Sequence, residues 1–304
     1  MKVAIAGAGG GVGASVAFNL LAGPLDCEVV MADSRPSMLR SHLWDLEQVL
    51  EQRTTGAVRE GGLSDMASAD VVVVAASAPL TLNESRMVYL ADNARILSPL
   101  LDVLRDGWPG VLILVTNPVD PLCTWAQRRT GLDRRQVLGY TLNDSLRLRT
   151  AIAKRLRVSP GRVEAWTLGE HGDGAVPLLS RVRVDGSPVS LDAREAADVR
   201  QWLADWYPRH VALHDPAHPR SSTWTSGLGI ARMVTALAEG GDELWTASVM
   251  LEGEYGLDGV SLSVPVRLAA GGLQEIEEWP LSQSEQAELR AAAQVVSDAV
   301  ARLG

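Results

Sequence analysis

Short apolar runs alternate with longer amphipathic stretches through the first half of the chain. Four of the runs are apolar at nearly every position, at 2–6, 27–32, 71–76 and 111–115. Such runs are typical of strands that are buried on both faces of a parallel sheet. Between them, apolar positions recur at helical spacing, at about 12–23, 36–52, 84–106 and 120–130. The alternation predicts an α/β fold with a Rossmann-type, doubly wound parallel sheet.

The second half of the chain has a less regular pattern. Helices are predicted at about 143–157, 191–212, 222–239 and 283–302. Strand-like segments lie near 162–168, 180–184 and 260–269. Because strands and helices no longer alternate strictly, this half predicts an α+β domain. We therefore expect a nucleotide-binding domain over 1–143 and an α+β substrate and catalytic domain over 144–304.

Composition and charge argue against several classes of protein. Hydrophobic residues make up 46% of the chain and charged residues 21%, which is ordinary for a globular protein. The net charge of -9 argues against a nucleic-acid or membrane partner. No apolar run approaches the ~18 residues of a membrane span, and the start of the chain lacks a signal-peptide pattern, so a cytoplasmic location is expected. The histidines and acids show no ligand spacing, so no metal site is predicted.

A glycine-rich segment separates the first predicted strand from the first helix. Without Cβ atoms, such a segment can turn tightly and bring its backbone close to a pyrophosphate at the helix amino terminus. The strict GxGxxG register starting at Gly7 fails, because Val12 occupies its last position. The strand-turn-helix context still predicts dinucleotide binding. The expected cofactor contacts in this segment are Gly7, Gly10, Gly11, Val12 and Gly13.

Asp33 ends the second predicted strand, about twenty residues after the glycine segment. A carboxylate at this place can accept hydrogen bonds from both ribose hydroxyls of NAD and repel the 2′-phosphate of NADP. The structural alternative is a polar strand end or helix cap. Arg35 lies two residues further on and could soften the discrimination. We expect NAD as the cofactor.

Asn117 and Pro118 follow the predicted strand at 111–115. In open α/β sheets, ligands bind at the carboxyl ends of the strands, so Asn117 is a candidate ligand contact. The alternative is an Asn-Pro turn that only opens a helix. Since X-Pro bonds tolerate the cis geometry, this bond could be cis.

Three side chains of the second half could form one reaction centre. Asp144 and Arg147 are three residues apart in a predicted helix and therefore project from one face. His171 lies in the segment Gly-Glu-His-Gly-Asp at 169–173. Asp144 can hold an imidazole in one tautomer, and Arg147 can grip a carboxylate through two parallel hydrogen bonds. Taken singly, a surface ion pair and a structural histidine would be the alternatives.

These segments together resemble the L-lactate/malate dehydrogenase family over about residues 1–300. The glycine segment is similar to the family's GAxGGxG loop, residues 144–147 to its DxxR helix, and residues 169–173 to its active-site segment. A further similarity runs over residues 255–265. The resemblance implies an NAD-dependent oxidoreductase that interconverts a 2-oxo acid and an L-2-hydroxy acid by hydride transfer.

The resemblance also implies catalytic roles. His171 would donate a proton to the ketone as hydride arrives, and Asp144 would orient the imidazole. Arg147 would clamp the substrate carboxylate. Arg86 lies in the segment that matches the family's mobile lid, where it would close over the substrate and polarise its carbonyl.

Further binding roles follow from the same resemblance. Asn117 would touch the nicotinamide ribose and the substrate oxygen. Cofactor contact is implied for Asn93 and substrate contact for Ser222, at the start of a predicted helix.

The chain departs from the family at the position that usually dictates the substrate. Six residues before Arg86, malate-type members carry Arg and lactate-type members carry Gln, whereas this chain carries Leu80. The favoured interpretation is an apolar 2-oxo acid packed against Leu80 and Leu82. A second is a dianionic 2-oxo acid, oxaloacetate-like or phosphonate-bearing, whose second charge binds elsewhere, with Arg220 as the candidate cation. Small substrates such as pyruvate are a third.

The expected partners are a small-molecule acid and further copies of the chain. The resemblance implies a homodimer or homotetramer, for which the predicted helices at 36–52 and 222–239 are candidate interface elements. A rival from another class is a catalytically silent NAD-binding sensor that kept the fold. The joint presence of His171, Asp144 and two arginines argues against the sensor, because a non-enzyme has no need for all four.

Overall fold

The computed structural model describes residues 1–53, 55–79, 86–105, 107–214 and 222–303, and of Arg86 only the backbone. Within these residues the chain forms a mixed sheet of eleven strands and a small sheet of three strands. Helices cover the large sheet. No helix in the described ranges is long and apolar enough to cross a membrane.

The first half alternates strands and helices, as predicted. Its strands are β1 (Lys2–Ala6), β2 (Glu28–Ala32), β3 (Ala57–Glu60), β4 (Val71–Val74), β5 (Val111–Leu114) and β6 (Val137–Tyr140). Its helices are α1 (Gly11–Ala22), α2 (Pro36–Leu50), α3 (Leu63–Met66), α4 (Leu90–Leu101) and α5 (Val119–Thr130). The strands pair in parallel in the order β3-β2-β1-β4-β5-β6, which is the predicted doubly wound arrangement.

The second half is α+β, also as predicted. Its helices are α6 (Leu142–Leu156), α7 (Ala193–Ala212), α8 (Thr223–Glu239) and α9 (Gln283–Ala301). Its strands are β7 (Val163–Glu164), β8 (Thr167–Gly169), β9 (Ala175–Pro177), β10 (Arg183–Val184), β11 (Ser187–Pro188), β12 (Leu244–Glu252), β13 (Asp258–Ala269) and β14 (Gly272–Ile276). Antiparallel β12 pairs with β6 on one side and with β13 on the other. One continuous sheet therefore crosses from the first half into the second.

Side chains at alternate positions of the parallel strands pack into two separate apolar layers. Val71 and Val73 of β4 pack in the layer that contains α1, whereas Val72 and Val74 pack in the layer that contains α4 and α5. Each face is therefore covered by helices, which explains why the strand is apolar at every position. Burying one such side chain contributes about 1.5–3 kcal/mol.

Several elements differ from the sequence prediction, and strands β3, β6 and β14 and the short helix α3 lie outside all predicted segments. The predicted helix at 84–106 is, in its described part, a 3-10 turn at Arg86–Tyr89 followed by α4. Strand β12 was not predicted, although Thr246 and Ser248 alternate with apolar neighbours. Residues 245–251 are nevertheless all buried, so this alternation does not mark one exposed face, as it does in a half-buried strand.

Candidate active site

The turn between β1 and α1 is built from glycines with two different functions. Gly7 has φ +85°, and a Cβ there would lie 2.4 Å from the backbone nitrogen of Ala76. A Cβ on Gly13 would lie 2.4 Å from the carbonyl oxygen of Gly7, so the fold of the turn itself requires both glycines. A Cβ on Gly10 would approach nothing closer than 3.3 Å. The open side of this turn, at the amino terminus of α1, fits the pyrophosphate of a dinucleotide.

Asp33, at the end of β2, lies over the same turn. Its Oδ2 accepts the Gly9 N–H at 2.8 Å, and its Oδ1 accepts the backbone N–H of Arg35 at 2.9 Å and the Arg35 Nε–H at 3.0 Å. Burial raises the pKa of Asp33, but the hydrogen bonds from Arg35 and Gly9 outweigh burial, and the net pKa is lowered. Asp33 is thus held as a carboxylate, the form that accepts ribose hydroxyls.

Asn93 and Asn117 meet at the carboxyl end of the sheet. The Asn93 side chain accepts the Ala78 N–H at 2.7 Å and donates to the Asn117 carbonyl oxygen at 2.6 Å. The Asn93 side chain therefore fixes the position of the Asn117 backbone. The Asn117-Pro118 peptide bond is cis, the geometry considered from the sequence. The buried Oδ1 of Asn117 has no hydrogen-bond partner among the described residues, which fits a position that a ligand completes.

His171, Asp144 and Arg147 come together around one carboxylate. Asp144 Oδ2 lies 2.5 Å from His171 Nδ1, and Asp144 Oδ1 accepts a hydrogen bond from Arg147 Nη1 at 2.8 Å. The helix α6 places Asp144 and Arg147 on one face, as their spacing predicts, and the segment after β8 carries His171 to them. The three side chains are 8–16% exposed, so their charges interact through a largely dry environment.

A second buried carboxyl group holds the backbone of His171. Asp120, in the first turn of α5, is fully buried and its Oδ2 accepts the His171 N–H at 2.6 Å. Burial and the negative charge of Glu170 raise the pKa of Asp120 to about 8. Since Asp120 stands three residues after Asn117, this contact joins the carboxyl end of the parallel sheet to the histidine.

The start of α8 closes the site on the cofactor side. Ser222, a predicted substrate contact, lies with its Oγ 3.5 Å from Arg147 Nη2. The next residue, Thr223, is in contact with the start of α1, because a Cβ on Gly11 would lie 3.0 Å from its Oγ1. The predicted phosphate turn and the predicted carboxylate clamp are therefore adjacent.

Some predicted site residues lie outside the described part of the chain. These are Leu80 and Leu82 in the lid segment and Arg220 before α8. Arg86 begins the turn that leads into α4, and its side chain is likewise outside the described part.

Two described residues of the site were missed from the sequence. Asp120 belongs to the Asn-Pro-Val-Asp segment, where a carboxyl group in the first turn of an apolar helix was a usable signal. Trp206, on α7, places its ring over Arg147, with the guanidinium carbon 3.9 Å from the ring centroid. Nothing local marks this tryptophan, because the contact joins two helices that are distant in sequence.

Two family models together match nearly the whole chain. The model described as lactate/malate dehydrogenase, NAD binding domain, matches residues 1–139. The model described as lactate/malate dehydrogenase, alpha/beta C-terminal domain, matches residues 141–302. The first match identifies NAD as the cofactor, and the glycine turn and Asp33 fit it.

Relatives of both substrate types are equally similar to this chain. A malate dehydrogenase of Natronomonas pharaonis is 33% identical over 303 residues, covering 98% of this chain and 97% of the relative. An L-lactate dehydrogenase of Lactobacillus delbrueckii subsp. bulgaricus is 33% identical over 298 residues, covering 97% of each. Overall sequence similarity therefore does not indicate whether the substrate is of the malate or the lactate type.

Solved structures of the same two kinds share the fold. The malate dehydrogenase from Aeropyrum pernix superposes with a TM-score of 0.89 at 25% identity, covering 100% of this chain and 98% of that one. A minor L-lactate dehydrogenase from Enterococcus mundtii gives the same TM-score of 0.89 at 24% identity, with coverage of 100% and 98%.

Proposed function

The chain belongs to the lactate/malate dehydrogenase family of NAD-dependent oxidoreductases, and from this premise we propose that it interconverts a 2-oxo acid and an L-2-hydroxy acid. One observation carries the proposal. A single carboxylate, Asp144, contacts both His171 and Arg147. A proton donor and a carboxylate clamp are thereby fixed side by side, which is what reduction of a ketone beside a carboxylate requires.

We assign the following roles to the residues. Gly10, Gly11 and Asp33 would hold NADH, which when bound supplies a hydride for the carbonyl carbon. Arg147 grips the substrate carboxylate through two in-plane N–H groups. As the carbonyl carbon receives the hydride, its oxygen takes the proton of His171 Nε2, and the ketone becomes a hydroxyl group. The reverse reaction returns the proton to His171.

Further residues orient the reacting groups in this proposal. The Asp144 carboxylate occupies Nδ1, so Nε2 is the ring nitrogen that faces the substrate, and the same carboxylate stabilises the imidazolium. Asn117 and Ser222 contact the substrate from the two sides of the site. Arg86 polarises the carbonyl when the lid closes.

We propose an apolar 2-oxo acid as the substrate. In the family, a charged or amide side chain at the position of Leu80 contacts the far end of the substrate. Leucine cannot pair with a second carboxylate. A second carboxylate would be poorly compensated once water is excluded. The indole of Trp206 adds apolar surface beside Arg147. In the alternative, Arg220 supplies a charge for a dianionic acid.

The substrate is tested by NADH consumption with 2-oxoisocaproate, phenylpyruvate, pyruvate and oxaloacetate. We expect kcat/KM for the apolar acids to exceed that for oxaloacetate at least about tenfold. Leu80→Arg should raise kcat/KM for oxaloacetate. Efficient reduction of oxaloacetate by the native protein would overturn the apolar assignment, and loss of that activity in Arg220→Ala would then locate the second charge. Binding of NADH without turnover of any 2-oxo acid would support the silent sensor instead.

We also propose an organisation for the protein as a whole. Residues 1–143 bind the cofactor and residues 144–304 bind the substrate, because the glycine turn and Asp33 lie in the first range and His171 and Arg147 in the second. The protein assembles as a homodimer or homotetramer, supported by exposed tryptophans on α2 and α8. Its compartment is the cytoplasm, supported by two cysteines that are free and buried.

A further inference from the structure

Trp206 of α7 covers the guanidinium group of Arg147. The guanidinium carbon lies 3.9 Å from the centroid of the indole, which is the shortest such contact that the described residues make. At this distance the planar cation rests on the face of the ring, where the negative quadrupole of the indole attracts it.

The indole and the described polar partners of Arg147, Asp144 and Ser222, contact the guanidinium from different directions. Asp144 Oδ1 accepts from Nη1 at 2.8 Å, and Ser222 Oγ lies 3.5 Å from Nη2. Both contacts lie at the edge of the guanidinium, where its N–H groups point, whereas the indole occupies its face. A substrate carboxylate also needs the edge. Trp206 therefore restrains the group without competing for hydrogen bonds.

Trp206 is itself held in place from its own helix. The imidazole of His210, four residues on, lies parallel to the indole with centroids 4.8 Å apart and an interplanar angle of 15°. The ring of His214 meets that of His210 edge-on at 4.5 Å. The spacing of four residues places successive rings on one face of the helix. The indole thus presents a fixed surface to Arg147.

We propose that Trp206 is a positioning residue that holds Arg147 in the orientation in which it binds the substrate carboxylate. The proposal rests on the function proposed above for Arg147. The indole restricts rotation of the guanidinium and keeps water from one of its faces. Both effects strengthen the ion pair with a carboxylate, because a restrained cation loses less entropy on binding and interacts through a lower dielectric.

The proposal predicts a specific kinetic signature. The carboxylate is bound alike before and during the chemical step, so weakening its clamp raises KM and leaves kcat nearly unchanged. A tryptophan that only filled space between α6 and α7 would instead change stability, with no selective effect on KM. The expected rise in KM is about 30-fold, which corresponds to a desolvated cation–π contact.

Trp202 provides a matched control on the same helix. It lies one turn before Trp206, and its ring also faces a cation, with Lys154 Nζ 5.1 Å from the centroid. It packs against the apolar cluster that contains Leu148 and Ile152, and the cation it faces is not Arg147. Trp202→Leu should therefore lower the thermal midpoint and leave KM at the native value.

The experiment measures kcat, KM and the thermal midpoint for Trp206→Leu, Trp206→Phe, Trp202→Leu and Arg147→Lys with the best 2-oxo acid. We expect Trp206→Leu to raise KM about 30-fold with kcat within about threefold, and Trp206→Phe to restore most of the loss, since it keeps a ring face. If Trp206→Leu does not fold, Trp206→Met takes its place with the same expectation. A native KM in the folded variant, no rescue by phenylalanine, or an equal rise in Trp202→Leu would overturn the proposal.

Arg147→Lys separates this proposal from the proposed function. A rise in KM of at least about 100-fold in Arg147→Lys, with a native KM in Trp206→Leu, would reject only the role of Trp206. A native KM in Arg147→Lys would show that Arg147 does not bind the substrate carboxylate. The role proposed for Arg147 would then be rejected, whatever the result for Trp206.

Discussion

His171 is fixed by carboxyl groups that reach it from two different helices. Asp144 of α6 contacts the ring nitrogen Nδ1, and Asp120 of α5 accepts the backbone N–H. The ring and the backbone of His171 are thus positioned separately. Removing either carboxyl group should disturb a different property of the protein.

Replacing His171, the proposed proton donor, should affect the chemical step. His171→Asn removes the transferable proton, so we expect kcat to fall at least about 100-fold while the Kd for NADH stays near the native value. Asp144→Asn should lower kcat less than His171→Asn does, because the donor remains but loses its orientation and charge partner. Stopped-flow kinetics of 2-oxo acid reduction measure kcat, and fluorescence titration with NADH measures the Kd. A fully active His171→Asn protein would refute the assignment.

Asp120 should make stability depend on pH. Its pKa in the folded protein is about 8, against 3.8 for an ordinary Asp side chain, so between these values the folded state keeps a proton that the unfolded chain loses. The resulting stabilisation is complete below about pH 4 and is lost as the pH rises through about 8, with a slope of at most about 1.4 kcal/mol per pH unit.

The measurement is the free energy of unfolding by urea at several values between pH 5 and pH 8. Asp120→Asn keeps an acceptor for the His171 N–H but cannot titrate, so the decline in stability with pH should become shallower. Asp173→Asn, an exposed change in the same segment, should keep the native slope. Parallel slopes for the native protein and Asp120→Asn would contradict the expectation.

At the level of elements, different glycines of the turn between β1 and α1 should control stability and cofactor binding. Gly13→Ala places a methyl group 2.4 Å from the Gly7 carbonyl oxygen, so we expect a loss of about 1–3 kcal/mol of stability. Gly10→Ala brings its methyl group to 3.3 Å from the same carbonyl oxygen and 3.5 Å from Arg35 Nη2, so it should cost much less stability than Gly13→Ala. Its methyl group nevertheless enters the open side of the turn and should weaken NADH binding about tenfold. Thermal unfolding and NADH titration of both variants check this, and native affinity in Gly10→Ala would exclude a pyrophosphate there.

The elements that could be predicted from sequence are those with a local signal. β4 is apolar at every position because both its faces are buried, and α6 shows its amphipathic face and its Asp144–Arg147 spacing. Edge strand β3 is mostly exposed and carries charged residues, so it resembles a loop. The contact between Trp206 and Arg147 could not be predicted, because it depends on how α7 packs against α6.

At the level of the whole molecule, three neighbouring helices each expose a large apolar side chain. Trp44 on α2 is 70% exposed and Trp224 on α8 is 74% exposed, and the helix between them, α1, exposes about half of Phe18. Large apolar side chains grouped on a surface are typical of protein–protein interfaces. These side chains support the proposed homo-oligomer.

Charged side chains at these positions should dissociate the proposed homo-oligomer. We expect sedimentation velocity at micromolar concentration to show a dimer or tetramer for the native protein and a smaller species for the double variant Trp44→Lys, Trp224→Lys, because lysine ammonium groups would be buried unpaired. Val295→Lys on α9, exposed but elsewhere, should assemble normally. A native monomer would remove the basis for this expectation.

The sheet that crosses both halves has a mechanical consequence. Main-chain hydrogen bonds join Tyr140 and Gly139 of β6 to Ala247 and Ser248 of β12, and α6 with its Asp144 begins two residues after β6 ends. Hinge bending between the halves would shear this ladder. We therefore expect the distance between the carboxyl end of β6 and His171 to stay constant during the proposed reaction. Cutting the chain after Tyr140 would leave two fragments with unprotected strand edges, which should precipitate rather than act as separable modules.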